Sequence, residues 1–238
     1  MKKEKKYAKM TDGTEIYYEK SGNGMPLFLL HGNDGSGRFF SEKVPVFSQF
    51  YTVYLIDSRG HGRSTNQANT LSFRLMAEDL YTIMLLEGIT KANILGFSDG
   101  ANLGLVFSSY YPEKVHRLIL NSGNTLVKGV LFSARLLSYC HYIGMWLLSL
   151  VCPSLRKNLL VIKLLLKDIG LSTADLEKIK CKTLIIVGKK DVIRLQHSLY
   201  LAKTIPNASF VLVNEQGHQL ARKDPQRFNQ EVLDFLSE

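Results

Sequence analysis

Residues 96–100 read Gly-Phe-Ser-Asp-Gly, a GxSxG pentapeptide whose central serine could act as a nucleophile. An apolar run at 92–97 leads into Ser98, and a helical pattern starts directly after it. In a strand–turn–helix context the glycines permit a sharp turn, which forces the serine into a strained conformation and lifts its hydroxyl clear of the sheet. Ser98 is therefore the candidate nucleophile, and an ordinary glycine-rich turn is the alternative.

A serine nucleophile needs a general base, and the base needs a group that orients it. His218 lies in the segment 214–218, between the last apolar run and the last helical pattern, so we expect it at the same carboxyl edge of the sheet as Ser98. His31 and His61 lie in glycine-flanked turns, where we expect them to bond backbone groups. The other three histidines fall at helix or strand entries. His218 is thus the candidate base.

The orienting acid is expected after a neighbouring strand. Asp191 is the first carboxylate after the apolar run 183–188, whereas the run 117–122 ends in Asn-Ser-Gly-Asn and offers none. The order nucleophile, acid, base along the chain is typical of this strand arrangement. Ser98, Asp191 and His218 are therefore the predicted catalytic residues.

Acyl transfer also needs two preformed hydrogen-bond donors for the oxyanion. The backbone N–H of Asp99, next to the nucleophile, is one candidate. The other lies in the loop 31–35, where the N–H of Asn33 is the favoured donor and a plain glycine turn is the alternative. We interpret the Asp99 side chain as a helix-start residue rather than a second catalytic acid, because the helix dipole favours an acid at that position.

Six apolar runs predict buried strands, and their lack of polar alternation is what a parallel sheet covered on both faces requires. A hairpin signal at Asp12-Gly13 precedes them, and helical patterns lie between them. This order predicts a mostly parallel, doubly wound α/β domain with an N-terminal hairpin. The predicted strands are 6–10, 15–19, 27–30, 52–57, 92–97, 117–122, 183–188 and 209–213, and the predicted helices are 72–87, 99–111, 194–204 and 225–236.

The stretch 125–180 interrupts this alternation with helical pattern alone, so we predict a core of 1–124 and 181–238 with a helical insertion. Its two main helical segments are mostly apolar, each with a narrow basic stripe. The first stripe contains Lys128, Arg135, Ser138 and Ser149, and the second contains Arg156, Lys163 and Lys167. The uncharged part, 136–151, has 16 residues, whereas a membrane span needs about 20. We therefore predict a buried or pocket-covering insert. A solvated face is the default for its basic stripe, with an anionic substrate or a disfavoured membrane-surface contact as alternatives.

The 238 residues are 45% hydrophobic, which is ample for a full core and excludes a disordered chain. The net charge of +9 is concentrated in 1–9 and 125–167. No RNP motif, zinc finger or basic region with heptads accompanies it, so no nucleic-acid partner is predicted. Three widely spaced cysteines argue against a disulfide framework or a metal site and fit a reducing cytoplasm. The basic N-terminus lacks the apolar stretch of a secretory signal.

Five segments together resemble the α/β-hydrolase superfamily, in particular bacterial serine hydrolases of carboxylesterase type with a short helical cap. The resemblance spans most of the chain and implies a triad of Ser98, Asp191 and His218 and an oxyanion hole at Asn33 and Asp99. It also implies that the 125–180 insertion is a cap over the active site and that the segment following Ile56 mainly braces loops. The segments are LLHGNDG (29–35), IDSRGHGRS (56–64), ILGFSDGAN (94–102), LIIVGKKD (184–191) and NEQGH (214–218).

These observations predict a cofactor-free and metal-free serine hydrolase that cleaves a carboxylic ester, a thioester or an activated amide. Its small-molecule substrate is expected to carry a hydrophobic acyl or aryl group under the cap. The serine at position 98 disfavours haloalkane dehalogenases and epoxide hydrolases, which use aspartate there. Two alternatives stay open: a hydrolase-derived sensor that signals through its cap, and a carbon–carbon bond hydrolase with the same triad. The natural substrate and the oligomeric state also stay open.

Overall fold

Strands and helices alternate along the chain in the computed structural model, which describes residues 3–238. Each of the six apolar runs forms a strand, and the two strands before them form the predicted hairpin. The strands are β1 (Glu4–Lys9), β2 (Glu15–Ser21), β3 (Pro26–Leu30), β4 (Thr52–Ile56), β5 (Ala92–Phe97), β6 (Val115–Asn121), β7 (Lys182–Lys190) and β8 (Ala208–Gly217).

Helices flank these strands on both sides of the sheet, and four 3₁₀-helices occur in the connections. The 3₁₀-helices cover Gly37–Phe40, Pro112–Lys114, Val127–Gly129 and Pro153–Leu155. The α-helices are α1 (Val44–Phe47), α2 (Phe73–Leu86), α3 (Asp99–Tyr110), α4 (Phe132–Val151), α5 (Arg156–Leu164), α6 (Thr173–Leu176), α7 (Leu195–Thr204), α8 (Leu220–Lys223) and α9 (Pro225–Ser237).

The strands form one sheet in the order β1-β2-β4-β3-β5-β6-β7-β8. The hairpin strands pair antiparallel to each other and to β4, and the six later strands are parallel. All six residues of β5 are buried, as expected of a central strand covered on both faces. The mostly parallel α/β fold predicted from the sequence is therefore confirmed.

Two hydrophobic clusters fill the two faces of the sheet. In β3, Phe28 and Leu30 belong to one cluster and Leu27 and Leu29 to the other, because successive side chains of a strand point to opposite faces. Helices α2 and α3 cover the first face, and α1, α8 and α9 cover the second. The rigid sandwich fixes the ends of the parallel strands, where the predicted site residues lie.

Residues 214–217 belong to β8, although their polar sequence predicts a loop. The backbone of Gly217 pairs with Lys190 of β7, after a register irregularity that follows Gly188. Asp191 is the first residue after β7, and His218 is the first residue after β8. Because the two strands end side by side, these two residues are neighbours.

The segment after β4 braces the surrounding loops, as the resemblance implies. The fully buried Asp57 carboxylate accepts the N–H of Gly37 at 2.7 Å and that of Arg63 at 2.9 Å. The Arg59 guanidinium donates two hydrogen bonds to the carboxylate of Asp79, at 2.6 and 2.8 Å. These contacts tie the loop to α2 and to the segment after β3.

The prediction of a buried insert is wrong for α4. Of its 20 residues, only Ser149 is buried. The half-buried side of α4 carries Arg135, Ser138 and Ser149 together with Ala134, Tyr142 and Met145, and the other large apolar side chains point outward. The reason is that α4 packs mainly against α5 and the 3₁₀-helix before it, so no further layer covers its outer side. Lys128, the fourth residue of the predicted stripe, lies before α4 and is exposed. Among the described residues, none of the helices is long and apolar enough to cross a membrane.

Candidate active site

Ser98 joins β5 to α3 in a strained conformation, with φ 52° and ψ −119°. L-residues rarely adopt such a positive φ. The N–H of Ser98 donates to the carbonyl of Asn121 on the neighbouring strand at 2.8 Å, which fixes the turn. Strain of this kind costs about 1–3 kcal/mol and persists only where the surroundings impose it. The turn presents the Ser98 hydroxyl at the positive end of α3.

The two glycines of the pentapeptide allow this turn because the backbone passes very close to them. A Cβ at Gly96 would collide with the carbonyl group of Gly100, and a Cβ at Gly100 would collide with the carbonyl group of Leu30. A Cβ at Gly32 would lie 3.1 Å from the Cβ of Ser98. The glycine pattern is therefore a packing requirement of the strand–turn–helix junction.

We expect Gly100→Ala to destabilise the protein strongly, because its new methyl group meets rigid backbone and no flexible side chain. Overpacking of this kind costs about 1–3 kcal/mol or more. Gly144 on α4 has open space around its Cβ position, so Gly144→Ala should stabilise the helix by up to about 1 kcal/mol. Urea unfolding of both variants measures the difference. Equal stability of the two variants would contradict the tight turn.

The structure brings Ser98, Asp191 and His218 together in one chain of contacts. His218 Nε2 lies 3.2 Å from Ser98 Oγ, and His218 Nδ1 lies 2.8 Å from Asp191 Oδ1. With the proton on Nδ1, the imidazole donates to the carboxylate and leaves Nε2 free to accept the serine proton. The ring of Phe97 packs against the imidazole, with 5.0 Å between the two ring centroids, and limits the movement of the imidazole. The arrangement can abstract a proton from Ser98.

The Asp191 carboxylate is buried and held ionised by its neighbours. Burial favours the neutral acid, but the hydrogen bond and electrostatic effect of His218, the N–H of Ile193 at 3.0 Å and the Ser122 hydroxyl outweigh it. The pKa of Asp191 is therefore lowered below its ordinary value. An ionised carboxylate at this place stabilises a positively charged imidazole.

Ser122 is a site residue that the sequence reasoning missed. It lies in the left-handed region (φ 61°) directly after β6, and its hydroxyl donates to Asp191 Oδ2 at 2.6 Å. A carboxylate is the side chain expected at this strand end, and the segment 121–124 contains none. A hydroxyl directly after a strand, next to a predicted buried acid, is the signal that could have found it.

The two predicted oxyanion donors belong to segments next to Ser98: Asp99 follows it in the chain, and Asn33 follows Gly32, whose backbone approaches Ser98 closely. The backbone N–H groups of Asn33 and Asp99 have no acceptor within residues 3–238, so both are free to bind a ligand oxygen. Asn33 lies in the loop after β3, and Asp99 is the first residue of α3. Two free amides beside a nucleophile are the donors that acyl transfer requires.

The Asp99 side chain lies in the first turn of α3, as expected, but it does not bond the helix end. Its carboxylate is buried and accepts hydrogen bonds from the side-chain amides of Asn33 at 2.8 Å and Asn102 at 3.2 Å. Burial raises the pKa of Asp99 to about 6, against the effect of these hydrogen bonds and of His218. Asp99 therefore ties the loop of one oxyanion donor to the helix that carries the other.

We expect Asp99→Asn to gain stability relative to the wild type as pH rises. The pKa of Asp99 is higher in the folded protein than in the unfolded chain, so protonated Asp99 stabilises the folded state. This contribution is fully present below the pKa of the unfolded chain and is lost as pH rises through about 6. The asparagine does not titrate, so the difference in unfolding free energy should shift towards the variant by about 1 kcal/mol between pH 5 and pH 7.5. Urea unfolding at both values measures it. A difference that is independent of pH would contradict the shifted pKa.

His31 and His61 bond backbone groups, as the sequence analysis expects. His31 Nε2 accepts the N–H of Ser58 at 3.0 Å, and its Nδ1 lies 2.7 Å from the carbonyl oxygen of Gly32. Burial, reinforced by the neighbouring His61, lowers the pKa of His31 to about 4. The neutral ring therefore supports the loop after β3, which carries the predicted donor Asn33. Within residues 3–238, no group of three or more His, Cys, Asp or Glu side chains could hold a metal ion.

The insertion contacts loops on both sides of Ser98. At its start, the N–H of Leu131 donates to the carbonyl of Val192, one residue after Asp191, at 2.8 Å. Further along, the carbonyl of Val161 on α5 accepts the side-chain amide of Asn33 at 2.8 Å. The insertion is thus attached beside the acid and beside one oxyanion donor.

Comparison with known proteins gives related hydrolases over nearly the whole chain. The sequence profile of the α/β hydrolase fold matches residues 25–138. RutD of Caulobacter sp. (strain K31), a candidate carbamate hydrolase, is 27% identical over 94% of this chain and 94% of its own length. A 2-hydroxy-6-oxononadienedioate/2-hydroxy-6-oxononatrienedioate hydrolase of Paraburkholderia phymatum is also 27% identical, over 98% of this chain and 96% of its own.

Solved structures share the fold at lower sequence identity. The esterase EaEST of Exiguobacterium antarcticum superposes with a TM-score of 0.84 at 20% identity, and the match covers 98% of this chain and 99% of the esterase. Such identity shows the architecture alone. The matching profile, the full-length relatives and the shared sheet together show that this chain has the α/β-hydrolase fold.

Proposed function

We propose that the protein is a serine hydrolase that cleaves a carboxylic ester through an acyl-enzyme on Ser98. The contact chain from Ser98 Oγ through His218 to Asp191 carries this proposal, at 3.2 and 2.8 Å. A serine held at a strained turn, a base in reach of its hydroxyl and a buried acid behind the base are the parts of nucleophilic acyl transfer. The related hydrolases described above support the same class of chemistry.

In the proposed acylation, His218 Nε2 takes the Ser98 proton as Oγ attacks the substrate carbonyl carbon. The oxyanion forms against the free N–H groups of Asn33 and Asp99. The C–O bond to the alcohol then breaks, and the alcohol leaves with the proton from the imidazolium. Asp191 holds the imidazole in the correct tautomer and stabilises its positive charge throughout.

Deacylation uses the same groups with water as the nucleophile. His218 removes a proton from the water molecule, and the hydroxide attacks the acyl carbon on Ser98. Collapse of the second oxyanion releases the acid and returns the proton to Ser98. A thioester or an activated amide fits the same sequence of steps, because only the leaving group differs.

We assign residues 125–180 as a cap that selects the substrate, with a hydrophobic acyl or aryl group beneath it. Its attachment beside Asp191 and Asn33 supports this assignment. Helix α5 turns buried apolar side chains towards the core, including Val161 and Ile162. A cytoplasmic location is part of the proposal and is supported by three free cysteine thiols.

Carbon–carbon bond hydrolysis is the second candidate, because the 2-hydroxy-6-oxononadienedioate/2-hydroxy-6-oxononatrienedioate hydrolase of Paraburkholderia phymatum aligns over 98% of this chain. A purely sensing role would use the same site without steady turnover.

Assays on p-nitrophenyl esters of increasing acyl length, on a vinylogous 1,5-diketone and with a fluorophosphonate probe separate these functions. We expect multiple turnovers on esters, with chain-length preference, and labelling of the serine. Turnover of the diketone alone would establish the second candidate, and a single turnover would favour the sensor.

A further inference from the structure

The outer side of α4 is an unusually large exposed apolar surface. Among residues 3–238, 19 large apolar side chains are classed as exposed, and 11 of them lie in the short stretch 131–151. Val151 is 88% exposed and Leu137 is 71% exposed. Contiguous apolar surface on this scale marks a binding surface for a protein or a membrane. The 11 residues are Leu131, Phe132, Leu136, Leu137, Tyr139, Ile143, Trp146, Leu147, Leu148, Leu150 and Val151.

The orientation of α4 is not what hydration alone would give. An amphipathic helix on a protein surface normally turns its apolar face inward and its polar face to water. Here Arg135, Ser138 and the buried Ser149 lie on the inward side, where Tyr142 and Met145 are the only large apolar side chains of the helix. The apolar side of α4 faces outward, so we expect it to contact an apolar environment rather than water.

Exposed basic side chains lie near both ends of α4 and have no acidic partners among the described residues. The stretch 125–167 contains six Lys and Arg residues and no Asp or Glu. Within the described residues, none of the six forms a salt bridge. Lys128 lies exposed before the start of α4, and Arg156 and Lys157 lie exposed just after its end. The next acid along the chain, Asp168, accepts the N–H of Val127.

We propose that α4 docks the protein onto an anionic membrane surface, lying in the plane of the interface. The apolar side chains would enter the boundary between headgroups and acyl chains, and the basic residues at both helix ends would contact anionic headgroups. Trp146 and Tyr139 suit this boundary because each combines an apolar ring with a polar atom. This inference does not depend on the proposed hydrolase activity.

Charge complementarity favours a membrane over a second copy of this chain. Two copies that packed α4 against α4 would each bring Lys128, Arg156 and Lys157, and no acid of the stretch 125–167, towards the interface. Antiparallel packing would place Lys128 of one copy near Arg156 and Lys157 of the other. Like charges at an interface oppose association, whereas an anionic bilayer neutralises them.

The only tryptophan of the chain, Trp146, lies on this surface and reports directly on docking. We expect vesicles of phosphatidylglycerol and phosphatidylcholine to shift its emission to shorter wavelength and to sediment the protein. Vesicles of phosphatidylcholine alone should bind at least ten-fold more weakly, and added salt should weaken binding to the anionic vesicles. The double variant Leu137→Asp/Leu147→Asp places two carboxylates on the outer side of α4, so it should not bind the anionic vesicles.

A charge-reversal variant and a matched control complete the test. Each basic side chain near an anionic surface is worth about five-fold in affinity, so R156E/K157E should weaken binding by about 25-fold or more. Phe50→Asp replaces a side chain that is 60% exposed outside the insertion, and it should bind as the wild type does. Urea unfolding confirms that all variants are folded.

Three results would overturn the proposal. The first is no sedimentation and no emission shift with anionic vesicles. The second is equal, salt-independent binding to both kinds of vesicle, which would remove the role of the basic residues. The third is a stable dimer by light scattering that is broken by Leu137→Asp/Leu147→Asp and shows no vesicle binding, which would assign the surface to a second copy.

Discussion

Ser98→Ala is expected to lose nearly all ester hydrolysis and all fluorophosphonate labelling while staying folded. The variant removes the oxygen that lies 3.2 Å from His218 Nε2 and leaves the turn, the base and the oxyanion donors in place. In a serine protease, loss of the nucleophile lowers kcat by about 10⁶. We expect a fall of about 10⁴ to 10⁶ here, measured with one short p-nitrophenyl ester at matched folded protein.

Ser108→Ala provides a control on α3, the helix that follows Ser98. Ser108 is fully buried, and its hydroxyl has no hydrogen-bond partner among the described residues. Removing that hydroxyl should leave both turnover and labelling unchanged. If Ser98→Ala still labelled at the wild-type rate, the nucleophile would have to be another residue.

The parallel part of the sheet is predictable from sequence because its strands carry a strong and local signal. A strand covered on both faces must be apolar at nearly every position, as Leu27–Leu30 and Ile94–Leu95 are. Strand ends are less predictable, since pairing partners set them. Gly217 joins β8 only because Lys190 lies opposite it.

Site residues that belong to a local motif can also be predicted from the sequence, whereas residues that act through contacts with distant segments cannot. The glycines around Ser98 record a close backbone approach, so their spacing predicts the turn. Ser122 touches Asp191 across 69 positions of sequence, and only the pairing of β6 with β7 brings the two strand ends together. The burial of Asp99 likewise depends on Asn33 and Asn102, which approach it from a distant loop and from the next turn of α3.

The sequence predicts the stripe on α4 but not which way it faces. Periodicity gives the relative positions of Arg135, Ser138 and Ser149 on the helix. The side that faces inward depends on what lies beneath and outside the helix, and neither is encoded in its period. The assumption that apolar means buried fails here because α4 has no layer above it.

Asp191→Asn is expected to lower turnover by about 10⁴, the cost of the same substitution in a serine protease. The asparagine can still satisfy Ser122 or Ile193, so the protein should fold. Its side-chain amide can present an N–H to His218 Nδ1, which favours the tautomer with the proton on Nε2. That tautomer cannot accept the Ser98 proton, and the imidazolium also loses its counter-charge.

Asp57→Asn is the matched comparison, because Asp57 is equally buried and also follows a parallel strand. Its two oxygens accept the N–H groups of Gly37 and Arg63, so the amide would leave one donor unsatisfied at a cost of about 1–3 kcal/mol. We therefore expect lost stability with turnover per folded molecule kept close to that of the wild type. Turnover of one short ester by both variants, at matched folded fractions, decides the matter. Activity retained by Asp191→Asn and abolished by Asp57→Asn would place the acid after β4, where its carboxylate would have to reach His218 from the other side of Ser98.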